Sequence, residues 1–182
     1  MENITEIEGD LFLAPEGAAL IHACNCQGSW GKGIALEFKN RTGLCPANDT
    51  EIGDDTKNAT QRVTKFPEGT ALVIPPQPGD YGTQGFHIST ARGGGRGRGR
   101  AWHYAAGKRN PPNEIIENTA TALADLKRQI DGGVADTDNA LRDAELWSCR
   151  INAGLFGVDW EQSKSIMAES MLNIKIVSPP PE

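Results

Sequence analysis

The sequence has no long hydrophobic run and few cysteines. None of its apolar stretches approaches the roughly 20 residues that a transmembrane helix requires, so no membrane partner is expected. Its N-terminal segment lacks a basic region followed by an apolar one, which argues against a secretory signal. The only cysteines are Cys24, Cys26, Cys45 and Cys149. Without a signal they are expected to be reduced thiols in the cytoplasm or the nucleus.

The formal net charge of −6 is unevenly distributed. A Gly/Arg-rich segment at about residues 91–110 contains basic residues and no acidic one. Its basic residues are Arg92, Arg96, Arg98, Arg100, Lys108 and Arg109. An acidic body argues against a general nucleic-acid-binding protein and leaves nucleic acid as a partner only through this segment. The chain is predicted to be one domain over residues 1–182, with this segment as a solvated insertion or an electrostatic arm.

Strand-like and helix-like segments alternate along the chain. The predicted strands are residues 4–11, 18–24, 71–74, 84–90, 146–151 and 172–177. The predicted helices are 34–39, 56–65, 111–132 and 160–171, and residues 136–144 are a loop or a short helix. The alternation predicts a three-layer α/β/α sandwich, in which ligands bind at the carboxyl ends of the strands.

Three loops follow predicted strands at what should be one edge of the sheet. In the first, Asp10 could accept a hydrogen bond from an exocyclic amine, or it could be a turn residue that satisfies its own backbone. The second, residues 25–33, is glycine-rich and precedes a helix, which favours anion binding, although a flexible turn remains the alternative. Its glycine and lysine spacing fits neither the Walker A nor the Rossmann pattern.

The third loop, residues 151–158, also carries glycines, and two such loops could hold a diphosphate from both sides. Phe156 in this loop either packs on a ribose or base or plugs the core. Asp159 is expected to be the N-cap of the next helix.

In the strand 18–24, His22 should share a face with Leu20, where it is either a core histidine or a proton carrier.

Three segments of the chain resemble the signature segments of macro domains. They are EGDLF at residues 8–12, IHACNCQGSWGKGIA at residues 21–35 and INAGLFGV at residues 151–158. The middle segment is the most specific, and it looks most like the fungal ADP-ribose 1″-phosphate phosphatase branch. The resemblance extends from about residue 4 to residue 177, apart from the Gly/Arg-rich insertion. Together with the alternation, it implies a central mixed, mostly parallel sheet of about six strands.

The resemblance implies a role for each matching residue. Asp10 would bind the adenine amine beside the Leu11 amide, and Asn25 would hold the proximal ribose, with Phe156 along it. The residues whose backbone amides would hold the diphosphate are Gly31, Lys32, Gly33, Ile34, Ala153, Gly154, Leu155, Phe156 and Gly157. His22 and Asn25 would be the catalytic residues. No metal and no cofactor are expected, because Cys24 and Cys26 alone are a weak metal signal.

The implied activity is hydrolysis of ADP-ribose 1″-phosphate to ADP-ribose and phosphate. Alternatives are a mono-ADP-ribosyl-protein hydrolase and a non-catalytic reader of ADP-ribosylated proteins, so such proteins are further possible partners. Related glutamate-specific hydrolases use a lysine on the strand that matches residues 86–91 and an aspartate in the third loop. This chain has no lysine in that strand and has Phe156 in the loop, which argues against the lysine route.

Overall fold

Strands and helices alternate along the chain, as the sequence pattern predicts. The computed structural model describes residues 3–25, 33–42, 69–74, 87–92, 110–132 and 140–180. The strands are Ile4–Glu8 (β1), Ala19–Asn25 (β2), Ala71–Ile74 (β3), His87–Arg92 (β4), Leu146–Cys149 (β5) and Ile174–Ser178 (β6). The helices are Gly33–Thr42 (α1), Pro112–Gly132 (α2), Ala140–Asp143 (α3) and Trp160–Glu169 (α4), and Leu11–Leu13 forms a short 3₁₀ helix.

The strands form one sheet in the order β1-β6-β5-β2-β4-β3. Neighbouring strands are parallel except for the pair of β3 and β4, so β3 is an antiparallel edge strand. A central, mostly parallel sheet of about six strands is therefore confirmed. Parallel strands need crossover connections, and α2 and α3 lie in the connection from β4 to β5 and α4 in that from β5 to β6.

The two faces of the sheet carry separate hydrophobic cores. Along β2, Ala19 and Ile21 belong to the larger core, which contains residues of α2 and α4. Leu20 points the other way, into a smaller core built around Phe38 of α1. Because alternate side chains of a strand face opposite ways, β2 is covered on both faces. This arrangement confirms the three-layer α/β/α sandwich.

Helix α2 covers the larger core and also fastens the edge strand. The Asp125 carboxylate accepts a hydrogen bond from the Ala71 N–H at 2.9 Å, and Gln129 Nε2 donates to the Ala71 carbonyl at 2.9 Å. These bonds hold the first residue of β3 against the helix.

Across the described part of the chain, no helix combines the length and the hydrophobicity needed to cross a bilayer.

Two predicted strands extend too far at their carboxyl ends, where a loop of interest begins, and the predicted strand 172–177 starts two residues before β6 does. Strand β1 ends at Glu8 rather than at residue 11, because Asp10 caps the 3₁₀ helix that follows it. Strand β5 ends at Cys149 rather than at residue 151, and Asn152 already has a left-handed backbone with φ of 72°. Asp10 caps the turn after β1 through a local hydrogen bond, whereas Asn152 in the loop after β5 donates hydrogen bonds to residues of α2 and α4.

Strand β4 continues to Arg92, so the first two residues of the predicted insertion are part of the sheet. The rest of the Gly/Arg-rich segment, apart from Asn110, lies outside the described residues, as does the predicted helix 56–65. The short-helix alternative for residues 136–144 is confirmed at Ala140–Asp143.

Candidate functional site

The three loops of interest leave the sheet at one edge. Strands β1, β2 and β5 belong to the parallel part of the sheet, so their carboxyl ends share this edge. Asp10 comes two residues after β1, Asn25 ends β2, and the loop 151–158 follows β5. The Gly9 N–H donates to the Ser178 carbonyl at 2.9 Å, which ties the first loop to the end of β6.

The carboxylate of Asp10 is held by two donors. Its Oδ1 accepts a hydrogen bond from the Phe12 N–H at 3.0 Å, and its Oδ2 lies 2.7 Å from Arg41 Nη1. The turn alternative is therefore confirmed, but it uses only one of the two oxygens. A carboxylate oxygen can accept more than one hydrogen bond, so Oδ2 keeps the capacity to accept an amine beside Arg41.

Electrostatics keep Asp10 ionised. Burial acts to raise the pKa of the Asp10 carboxyl, but the hydrogen bonds from Phe12 and Arg41 outweigh it, and the net pKa lies below its usual value. An ionised carboxylate only accepts hydrogen bonds, which suits recognition of an amine.

A row of rings connects Arg41 to His22. The Arg41 guanidinium lies 4.8 Å from the centre of the Phe12 ring, which meets Phe38 edge-on at 4.9 Å. Phe38 in turn stacks on His22 at 4.3 Å. His22 therefore shares the smaller-core face of β2 with Leu20, as predicted, and its side chain is completely buried. Such burial favours a core histidine over a group that meets substrate directly.

The beginning of α1 touches the loop after β5. Gly33 is the first residue of α1 and has φ of 60°, a left-handed conformation that glycine adopts without strain. A Cβ atom at this position would lie 3.0 Å from Leu155 Cδ1. The structure thus brings together one residue from each of the two segments, 31–34 and 153–157, whose backbone amides are predicted to hold a diphosphate. Gly31, Lys32 and the Asn25 side chain lie outside the described part of the chain.

The loop after β5 has an exposed outer part on a buried base. Its exposed residues are Ala153, Gly154, Leu155 and Gly157. Phe156 is half-buried and packs against the larger core. It therefore contributes to the core, as one sequence alternative predicts, and is partly exposed, as packing on a ribose or base requires. The Gly157 N–H donates to the Gly154 carbonyl at 3.0 Å, and this amide is therefore used inside the loop.

The base of this loop is fastened by Asn152, which is 3% exposed. Its Nδ2 donates to Thr119 Oγ1 of α2 at 3.2 Å and to Ser163 Oγ of α4 at 3.0 Å. Its backbone carbonyl accepts from the Val158 N–H at 3.1 Å, which closes the loop. Its Oδ1 is buried and has no hydrogen-bond partner in the part of the chain that the structure describes. An unsatisfied buried acceptor costs about 1–3 kcal/mol.

Sequence reasoning missed Arg41, Asn152, Thr119 and Ser163. A weak signal existed for Asn152, because asparagine is among the non-glycine residues that most often adopt a left-handed backbone. No such signal existed for its partners, since contacts between distant segments leave no local pattern.

The predicted N-cap is confirmed, as the Asp159 carboxylate accepts a hydrogen bond from the Glu161 N–H at 2.8 Å.

Comparison with known proteins identifies the family. The ADP-ribose 1″-phosphate phosphatase of Aspergillus fumigatus is 43% identical, with 97% of this chain and 94% of that protein covered. The protein of the same name from Ajellomyces capsulatus is 41% identical, with 99% and 98% covered. The chain belongs to this family of fungal macro-domain phosphatases. No protein-family model matches the sequence.

Solved structures agree with this membership at the level of the fold. The macrodomain of Mycobacterium tuberculosis DarG superimposes with a TM-score of 0.62 at 23% identity and covers 97% of each chain. Thermosipho africanus DarTG in complex with ADP-ribose gives a TM-score of 0.59 at 16% identity, with 99% of this chain and 42% of that chain covered. The macro-domain fold expected from the sequence is thereby confirmed.

Proposed function

We propose that this protein binds ADP-ribose 1″-phosphate and hydrolyses it to ADP-ribose and inorganic phosphate. The observation that carries the proposal is the contact between Gly33 and Leu155 at the sheet edge from which the three loops start, in a chain of the phosphatase family. One loop offers an ionised carboxylate, and the other two offer glycine-bearing backbone that can approach phosphates.

In this proposal the ligand lies along the sheet edge with its adenine at Asp10. The Asp10 Oδ2 accepts the adenine amine, and the Leu11 N–H donates to the ring. The diphosphate lies between the beginning of α1 and the loop after β5, whose contact at Gly33 and Leu155 supports a two-sided grip. Asn25, the last residue of β2, holds a ribose of the ligand.

Hydrolysis needs a water molecule placed against the 1″-phosphate. The water oxygen bonds to phosphorus as the bond from phosphorus to the ribose oxygen breaks, and the leaving oxygen takes up the proton that the water loses. Asn25 and the phosphates of the substrate are proposed to place this water. A proton-carrying role for His22 stays a prediction, and its burial against Phe38 supports the core alternative.

Phosphate release from ADP-ribose 1″-phosphate tests the activity. We expect release by the wild-type protein and a marked loss in Asn25→Ala. If His22 carries a proton, His22→Ala should lower the rate by roughly 10²–10⁴ while ADP-ribose affinity stays within a few fold. If it is a core residue, the variant should melt earlier and lose activity only in proportion to unfolded protein. ADP-ribose binding without any phosphate release would instead indicate a reader.

A further inference from the structure

Asn152 occupies a position where a glycine would be less strained. Its φ of 72° lies in the left-handed region, which glycine adopts freely and asparagine adopts more readily than most other residues but at some cost. Its buried carboxamide also leaves Oδ1 without a partner among the described residues. The two hydrogen bonds that its Nδ2 donates are what an asparagine supplies at this position and a glycine cannot.

Those hydrogen bonds join the loop to two separate helices. Thr119 belongs to α2 and donates its own hydroxyl proton to the Ile115 carbonyl at 2.6 Å, which leaves its oxygen oriented to accept from Asn152. Ser163 lies in the first turn of α4, directly after the loop. All three side chains are buried, so water does not compete for these bonds.

We propose that Asn152 is a positioning residue that holds the exposed outer part of the loop after β5 in its phosphate-binding conformation. It does so by anchoring the base of the loop to Thr119 and Ser163, while the residues from Ala153 to Leu155 meet the ligand. The inference rests on the proposed function, because it takes the diphosphate of ADP-ribose as the group that this loop binds. Asn152 itself has no contact with the ligand.

Asn152→Gly is the most informative variant, because glycine adopts the left-handed backbone conformation without strain while the variant loses the side chain that donates both hydrogen bonds. We expect KM for ADP-ribose 1″-phosphate to rise about tenfold while kcat stays within about threefold, since binding is weakened and the chemistry is not. Inhibition by adenosine, which has no phosphate, should not change. Amide hydrogen exchange over residues 153–157 should become faster without any ligand.

Thr119→Val removes the same anchor from the helix side and keeps the side-chain volume. It should reproduce part of the KM effect, and combining it with Asn152→Gly should add little, because both break one network. Thr121→Val is the matched control, since Thr121 donates to the Glu117 carbonyl at 2.9 Å in the same way but is exposed. It should leave KM and exchange unchanged.

The outcomes separate this inference from the proposed function. Unchanged KM and unchanged loop exchange in Asn152→Gly would overturn the positioning role even if the wild-type protein is an active phosphatase. A wild-type protein that neither binds ADP-ribose nor releases phosphate would instead remove the proposed function. A purely structural role would also be detected, because adenosine would then inhibit less strongly in the variant in which KM rises.

Discussion

The loop after β1 and the loop after β5 are held in place by different kinds of interaction. Asp10 in the first is fixed by a backbone N–H and by an ion pair with Arg41, in which both side chains are more than a third exposed. Asn152 in the second is fixed by uncharged hydrogen bonds that are buried. Exposed ion pairs are weak and screened by salt, whereas buried hydrogen bonds are costly to break. We therefore expect the loop at the proposed adenine end to be sensitive to pH and to salt concentration. The loop at the proposed phosphate end should instead be sensitive to substitutions that change the shape of its side chains or backbone.

The largest effect is expected from Gly33→Val, which changes the shape of the phosphate end. A β-branched residue at φ of 60° is strained, and its Cβ would meet Leu155 at 3.0 Å. We expect a loss of about 2–3 kcal/mol in the free energy of unfolding and ADP-ribose binding weakened at least about tenfold. Chemical denaturation and calorimetry measure the two quantities.

Gly17→Val is the control for backbone strain alone. Gly17 has φ of 82°, and nothing lies within 4 Å of a Cβ added there. It should cost stability and leave ADP-ribose affinity unchanged. If Gly33→Val and Gly17→Val have the same effect on affinity, the contact between α1 and the loop after β5 has no part in binding.

A small effect is expected from Arg41→Met at the adenine end. Burial acts to raise the pKa of Asp10, but two hydrogen bonds lower it by more than burial raises it. The ionised carboxylate therefore adds stability at a pH above its unfolded pKa. This contribution is lost as the pH falls through the lower folded pKa. Without Arg41 the folded pKa rises, so the contribution should be smaller and its loss should be complete at a higher pH, while the melting temperature at pH 7 shifts by no more than a few degrees.

Acid titration followed by melting temperature checks this prediction, with and without high salt. Salt should diminish the difference between the wild type and Arg41→Met, because the pair is exposed. The same salt should leave the difference between wild type and Asn152→Gly unaffected. Equal salt dependence in both variants would contradict the contrast between the two loops.

The sequence predicted the layers of the fold because they depend on local patterns. The alternation along β2 was enough to place Leu20 and His22 on one face, and Asp159 was recognisable as a cap from its neighbours. The strand ends were predicted less well, because the turns that contain Asp10 and Asn152 depend on hydrogen bonds that an apolar pattern does not reveal.

The candidate site was predicted as a set of segments but not as a set of contacts. The contact between Gly33 and Leu155 was expected only in outline, from two glycine-bearing loops at one edge. The ion pair of Asp10 with Arg41 joins residues 31 positions apart, and the bond between Asn152 and Thr119 joins residues 33 positions apart. Such pairs are set by how the helices pack on the sheet, which one sequence does not specify residue by residue.

Calorimetric titration with ADP-ribose tests most directly whether the three loops form one binding site. The wild-type protein should bind saturably, and Asp10→Ala should weaken binding of ADP-ribose by about tenfold more than that of ribose 5-phosphate, which lacks the adenine. Glu16→Ala, which removes an exposed carboxylate from the same segment, should bind like the wild type. No heat and no thermal shift at millimolar ADP-ribose would contradict the account.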